Sequence, residues 1–188
     1  MDPPAGPITL LLREVEHGSV DAKEALFEAL HDELVRIAAT YMGRQRKDHT
    51  LQPTALVNEA YLRLFNADAP SFRDRVHFMG AAARAMRSVL VDVARSRATD
   101  KRGGGRVRVT FVASTPAKGV EDCHDVLAVH EALERMEKID EQWAAVVEMR
   151  FFGGLSTEET AAGLGISEPT VRRVWNRARA WLVRELSR

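Results

Sequence analysis

The residues best suited to chemistry are three arginines and an asparagine near the carboxyl end: Arg172, Arg173, Asn176 and Arg177. Their spacing places them on one face of a helix. Guanidinium and amide groups donate hydrogen bonds to phosphates and, in pairs, to the edges of bases. Thr170, near the amino end of the same helix, is placed to contact a phosphate. The pattern predicts binding to a nucleic acid rather than catalysis.

The segment that must position this face has the local signals of two helices and a tight turn. Ser156 and Glu159 have the spacing of a capping box at the start of a short helix. Gly165 suits the left-handed conformation that ends a helix. Ser167 can cap a second helix, with Pro169 tolerated in its first turn. The predicted buried stripe of that second helix consists of Val171, Val174, Trp175, Ala178 and Leu182.

Together these signals predict a helix-turn-helix whose second helix presents its arginines to the major groove of DNA. The alternative is a solvated amphipathic hairpin packed on a helical bundle, since most charged stripes only face water. The glycine turn and the absence of acidic residues on the exposed face favour DNA binding. The motif alone does not distinguish a repressor, an activator and a polymerase subunit.

No other group of residues predicts a catalytic, metal or cofactor site. Cys123, His124 and His130 are close in sequence, but they lack a fourth ligand for zinc and lie in a polar segment. The glycine run at 103–105 does not predict a phosphate-binding loop, because no strand precedes it and no Gly-Lys-Ser/Thr follows it. We therefore expect no enzymatic activity, no bound metal and no cofactor.

Composition excludes two further classes of protein. A single cysteine among the 188 residues excludes an internal disulfide framework. No apolar run has the length of a membrane span, and the amino terminus lacks the basic and apolar regions of a signal peptide. These properties predict a cytoplasmic protein without a membrane partner.

The formal net charge of zero conceals separate basic and acidic segments. Residues 84–108 hold eight basic and two acidic residues, residues 120–148 hold two basic and nine acidic ones, and residues 168–188 hold six basic and two acidic ones. Two basic regions on either side of an acidic one suit two separate contacts with a polyanion.

Apolar spacing predicts an all-α protein with two small helical domains joined by an extended linker. The first domain, residues 1–102, ends with a long helix at about 73–98. The linker, residues 103–124, contains glycines, a proline and one alternating run, Val107–Phe111, which has no second strand to pair with. The second domain, residues 125–188, contains two helices followed by the helix-turn-helix.

This order of modules resembles a bacterial RNA polymerase sigma factor of the extracytoplasmic-function (ECF) type. The stretch TALVNEAYLRLF is similar to the region 2 helix that docks on the polymerase clamp. The stretch HFMGAAARAMRSVLVDVARSRATDKRGGG is similar to the promoter-melting and promoter-recognition helix of region 2, and the stretch from LERMEKIDEQW to ARAWL is similar to region 4. The motifs VLVDVAR…KRGG and RFFGGLS are most similar to an ECF-like subgroup abundant in planctomycetes and acidobacteria.

The resemblance implies a sigma factor that binds core RNA polymerase and promoter DNA and does no covalent chemistry. For the upstream promoter element it implies contacts from Thr170, Arg172, Arg173, Asn176 and Arg177. For the downstream element it implies contacts from Phe78, Arg84, Arg87, Arg95 and Arg97. For the polymerase clamp it implies contacts from Asn58, Glu59 and Arg63. It leaves an anti-sigma factor open as a further partner.

Two features depart from the family pattern. Many members carry a tryptophan three residues after a phenylalanine of the melting region, and Ala81 stands there if Phe78 is that phenylalanine. The linker begins with Arg106 and Arg108, where the family's linker is often acidic.

A helix-turn-helix regulator that acts without being a polymerase subunit is the alternative function. Such regulators usually carry an α/β or ligand-binding domain before the motif, whereas residues 1–102 predict helices without strands.

Overall fold

The computed structural model describes residues 6–42, 51–66, 71–99, 107–111 and 122–187. The helices are α1 (Pro7–Glu16), α2 (Val20–Met42), α3 (Pro53–Asn66), α4 (Arg75–Thr99), α5 (Val126–Ile139), α6 (Glu141–Val147), α7 (Thr157–Leu164) and α8 (Glu168–Leu186), and the strands are β1 (Arg108–Phe111) and β2 (Asp122–Asp125). The predicted all-α class is confirmed. The glycine run at 103–105 and most of the predicted linker lie outside the described residues.

Helices α1 to α4 form the amino-terminal half, in which α3 packs along α4 and α2 packs against α1 and α3. Side-chain caps mark the starts of two of these helices. The Ser19 hydroxyl accepts a hydrogen bond from the Ala22 amide (3.1 Å) at α2, and the Asp74 carboxylate accepts one from the His77 amide (2.8 Å) at α4.

Helix α4 lies at the centre of the molecule and is packed on two sides. α3 covers one side, while α5, α7 and the segment after α6 cover another. Met79, Ala83, Met86 and Leu90 form the main buried stripe of this helix. Phe78, outside that stripe, is also fully buried, because its ring packs against those of Phe65 in α3 (6.4 Å between centroids) and Phe72 (5.1 Å).

A β-hairpin joins the two halves of the chain. Strands β1 and β2 pair antiparallel, with Arg108 opposite Asp125 and Val109 opposite His124. The buried Val109 lies on the strand that packs against α2. The expectation that the alternating run at Val107–Phe111 has no partner is wrong, since the second strand lies directly before α5.

The carboxyl-terminal half consists of α5 to α8. Asp125 caps α5 by accepting a hydrogen bond from the Leu127 amide (3.0 Å), and Asp140 caps α6 by accepting from the amides of Gln142 (2.9 Å) and Trp143 (3.2 Å). After Val147 the helix widens into a π-helical turn, Glu148–Phe152, that the sequence did not indicate.

The two halves share one hydrophobic core. The ring of Tyr41 in α2 lies 5.7 Å from that of Phe151 and 5.3 Å from that of Phe152, measured between centroids. Gly154 has a positive φ of 62°, and a Cβ at this residue would lie 2.7 Å from Cγ1 of Ile37 in α2. Glycine at this position therefore allows the end of the π-helical turn to approach α2 closely.

Candidate nucleic-acid interface

The helix-turn-helix is built from local interactions that the sequence predicted. The Ser156 hydroxyl accepts from the Glu159 amide (3.1 Å), and the Glu159 carboxylate accepts from the Ser156 amide (2.8 Å), which completes the capping box. Gly165 adopts the left-handed conformation with φ of 65°. Ser167 caps α8 by accepting from the Thr170 amide (3.3 Å). Each of these predictions is confirmed.

Helix α8 divides into a buried and an exposed face. The buried face consists of the five predicted residues Val171, Val174, Trp175, Ala178 and Leu182. The exposed face carries Arg172, Arg173, Asn176 and Arg177. Thr170 is partly exposed, and its hydroxyl lies 2.9 Å from that of Ser167. The structure thus brings together all five residues predicted to contact upstream DNA.

A further basic residue, Arg150, lies at this surface and was not predicted from the sequence. Arg150 donates a hydrogen bond to the Thr157 hydroxyl at the start of α7 (3.0 Å), and its guanidinium lies 4.9 Å from the centre of the Trp175 ring. Burial, followed by repulsion from Arg172, lowers the pKa of Arg150 below its ordinary value. Arg150 therefore adds to the positive potential beside the exposed face of α8. The contact between Arg150 and Trp175 could not be predicted, because Arg150 is distant from α8 in the sequence.

The residues predicted to contact downstream DNA lie in different environments. Arg84 and Arg95 are exposed, and Arg97 is partly exposed. The ring of Phe78 lies in the core, so its contact with DNA stays a prediction.

Arg87 lies at the boundary between the two halves. Its Nε donates to Glu148 (2.9 Å), and its Nη1 lies 3.1 Å from Nδ1 of His130. Burial raises the pKa of the Glu148 carboxyl, opposed by Arg87 and Arg84, while burial and then Arg87 lower the pKa of His130. In this conformation Arg87 is therefore engaged by the carboxyl-terminal half.

The predicted polymerase-binding residues lie on α3. Asn58 and Glu59 are exposed, whereas Arg63 donates to Glu59 (3.2 Å), to Asp92 (2.6 Å) and to the Ser88 hydroxyl (3.2 Å) of α4. The hydrogen bond to Asp92 is the main cause that raises the pKa of Arg63 above its usual value. Arg63 thus ties α3 to α4 as well as lying at the predicted surface.

An apolar groove adjoins Asn58 on this surface. Phe27 of α2 and Tyr61 and Leu62 of α3 line it, and Leu62 is 56% exposed. An exposed leucine beside predicted partner-binding residues is typical of a protein-binding surface. Leu62 is not among the residues that the sequence predicted to contact the polymerase.

Two predictions about other classes of site can be compared with the described residues. The His130 ring is engaged by Arg87 and lies 3.5 Å from Glu134, and no metal-ligand cluster is present among the described residues. No helix in the described part of the chain is long and apolar enough to cross a membrane.

Comparison with known proteins agrees with this arrangement. A family model described as "ECF sigma factor" matches residues 5–188. The ECF RNA polymerase sigma factor SigL of Mycobacterium tuberculosis, from strains H37Rv, CDC 1551 and Erdman, is 30% identical to this chain over 161 residues. The match covers 82% of this chain and 85% of the relative. The capped helix-turn-helix with its exposed arginines, and a family match over nearly the whole chain, show that this chain belongs to the ECF sigma factor family.

Proposed function

We propose that this chain binds core RNA polymerase and directs it to promoters by contacting two promoter elements. The observation that carries the proposal is the exposed face of α8, on which Arg172, Arg173, Asn176 and Arg177 lie together behind a capped turn. A helix of this kind enters the major groove, where arginine forks distinguish guanine from other bases.

The second contact belongs to the amino-terminal half. The exposed Arg84 and Arg95 of α4 form a basic surface for the downstream element, and Arg87 joins them once its contacts with the carboxyl-terminal half are released. Asn58 and Glu59, with the neighbouring apolar groove, form the surface for the polymerase. Each DNA contact alone is weak and sensitive to salt, but attachment to the polymerase makes the second contact intramolecular.

Run-off transcription with core polymerase tests the proposal. Promoter fragments selected from a random library should give discrete transcripts only when this chain is present. A regulator that acts without polymerase would instead shift operator DNA in the absence of core enzyme. If the chain neither binds core polymerase nor gives promoter-specific transcripts, the proposal fails.

A substitution on α8 tests whether this helix contacts promoter DNA without contributing to the binding of core polymerase. We expect Arg173→Ala to weaken discrimination at one base pair of the upstream element by about 1–3 kcal/mol, which is roughly a fivefold to 150-fold change. Binding to core polymerase should stay the same. Arg184→Ala, an exposed arginine in the last turn of the same helix, is the matched control and should not change base preference. Loss of core binding in Arg173→Ala alone would contradict this assignment.

A further inference from the structure

The predicted DNA-binding arginines of α4 face a cluster of carboxylates from the other half of the chain. Arg84 and Arg87 line a cleft with Glu137 of α5, Glu141 of α6 and Glu148 of the π-helical turn. The Arg87 and Glu148 side chains are only 19% and 13% exposed, so this contact is withdrawn from solvent. A carboxylate offers an arginine the same kind of anionic oxygen acceptors as a DNA phosphate does.

We propose that this is a closed, latent state of the free chain, in which the acidic cluster of the carboxyl-terminal half holds Arg87 and borders Arg84 on the downstream DNA-binding surface of α4. The inference rests on the proposed function, since it assigns Arg84 and Arg87 to promoter DNA. Core polymerase opens the chain by binding the two halves separately. Contact between Arg87 and DNA requires this opening, because Glu148 holds Arg87 while the halves are together.

Apolar contacts beside the acidic cluster show that packing, as well as ion pairing, holds the closed state together. A Cβ on Gly163 of α7 would lie 2.6 Å from Cγ1 of Val76 in α4, so the two helices are in close contact. The aromatic contacts of Tyr41 with Phe151 and Phe152 lie at the same boundary. Buried apolar contact supplies stability that the ion pair alone does not, because loss of hydration opposes the attraction between its two charges.

The hairpin adds a third connection between the halves. Strand β1 packs on α2 of the amino-terminal half, while β2 leads directly into α5 of the other. The carbonyl of Val107 accepts a hydrogen bond from the amide of Val126 in α5 (2.9 Å). Strands β1 and β2 thus connect the two halves in the closed state.

A reversible disulfide between the two halves tests whether the closed state is inactive in transcription. The variant Val76→Cys with Gly163→Cys, made with Cys123→Ser so that no other thiol remains, places two sulfurs across the α4–α7 contact. The free chain is oxidised before core polymerase is added, and cross-linking is measured by thiol titration. We expect rapid cross-linking and at least about tenfold less promoter-specific transcript from the oxidised chain, with full recovery after reduction. The two single-cysteine variants are the controls.

The outcomes separate the inference from the proposed function. If the oxidised chain transcribes as well as the reduced chain, the latent state is overturned and the proposed sigma-factor function stands. If neither the reduced chain nor the Cys123→Ser parent gives a transcript, the proposed function is overturned, and the inference that rests on it is overturned as well. Failure of the two cysteines to cross-link in a folded chain shows that the halves are apart in solution, and it also overturns the proposal.

A charge variant provides a second test that does not depend on cysteines. We expect Glu148→Gln to strengthen binding of the free chain to a duplex that contains the downstream element by about fivefold, measured by fluorescence anisotropy. Glu131→Gln, an exposed residue of α5 outside the cleft, removes the same charge and serves as the control. If the two variants gain the same affinity for DNA, the gain comes from the change in net charge alone, which would contradict a specific role for Glu148.

Discussion

The carboxylate of Glu159 makes two contacts that substitution can separate. One oxygen accepts from the Ser156 amide (2.8 Å) and completes the cap of α7, while the other accepts from Arg75 of α4 (2.6 Å). The first contact stabilises the helix-turn-helix, and the second joins the two halves of the chain. Glu159→Gln keeps an oxygen acceptor for the cap but removes the charge that pairs with Arg75. Glu159→Ala removes both contacts.

The expected magnitudes follow from the exposure of the groups. The side chains of Arg75 and Glu159 are 30% and 35% exposed, so screening by solvent limits their ion pair to about 0.5 kcal/mol. Loss of a helix cap costs about 1 kcal/mol. We therefore expect Glu159→Gln to lower the free energy of unfolding by about 0.5 kcal/mol and Glu159→Ala to lower it by roughly 1.5 kcal/mol.

Urea unfolding and a double-mutant cycle measure these effects. Glu158→Ala is the matched control, because Glu158 is an exposed acid in the same first turn and shares only the favourable position near the helix start. The cycle combines Glu159→Gln with Arg75→Met, and the expected coupling is about 0.5 kcal/mol. A coupling near zero would refute the ion pair between the halves. A loss in Glu159→Ala no larger than in Glu158→Ala would refute the cap.

Two other predictions concern stability. Gly165→Ala should cost about 1 kcal/mol, because its φ is 65° but a Cβ there would meet nothing within 4 Å. Gly154→Ala should lower the free energy of unfolding by at least about 1 kcal/mol more than Gly165→Ala does, because a Cβ there would also lie 2.7 Å from Ile37. Equal losses in the two variants, measured by urea unfolding, would contradict the close approach. Burial raises the pKa of Glu159, but hydrogen bonds from Ser156 and Arg75 outweigh it, so the folded pKa lies below the ordinary value of 4.5. Glu159 therefore adds stability above pH 4.5 that is lost as the pH falls through its folded pKa, and Glu159→Gln should flatten that part of the stability profile measured by urea unfolding.

The helix-turn-helix could be predicted in detail because its determinants are local. A serine cap, a glycine that tolerates positive φ and an apolar stripe all act within one or two turns of helix, so the residues concerned are close in sequence. The same holds for the exposed face of α8, since the burial of Val171 and Val174 leaves Arg172 and Arg173 toward solvent.

The hairpin and the environment of Phe78 could not be predicted in this way. Strand β1 pairs with Asp122–Asp125, a polar segment without the alternation that marks a strand in a sequence. Phe78 lies outside the main stripe of α4, and its ring is buried against those of Phe65 in α3 and Phe72, which precedes α4. Both features depend on contacts made outside the element that carries the residue.

The sequence by itself determined the helical class, the two basic regions and the surface of α8, because helix periodicity and capping depend on neighbouring residues. Only the tertiary structure decided which arginines face solvent and which face carboxylates. Arg87 and Arg173 are both helical arginines in basic segments, yet Glu148, 61 residues away, engages the first while the second is exposed. The physical reason is that electrostatic pairing depends on distance in space, and packing of α4 between the two halves sets that distance.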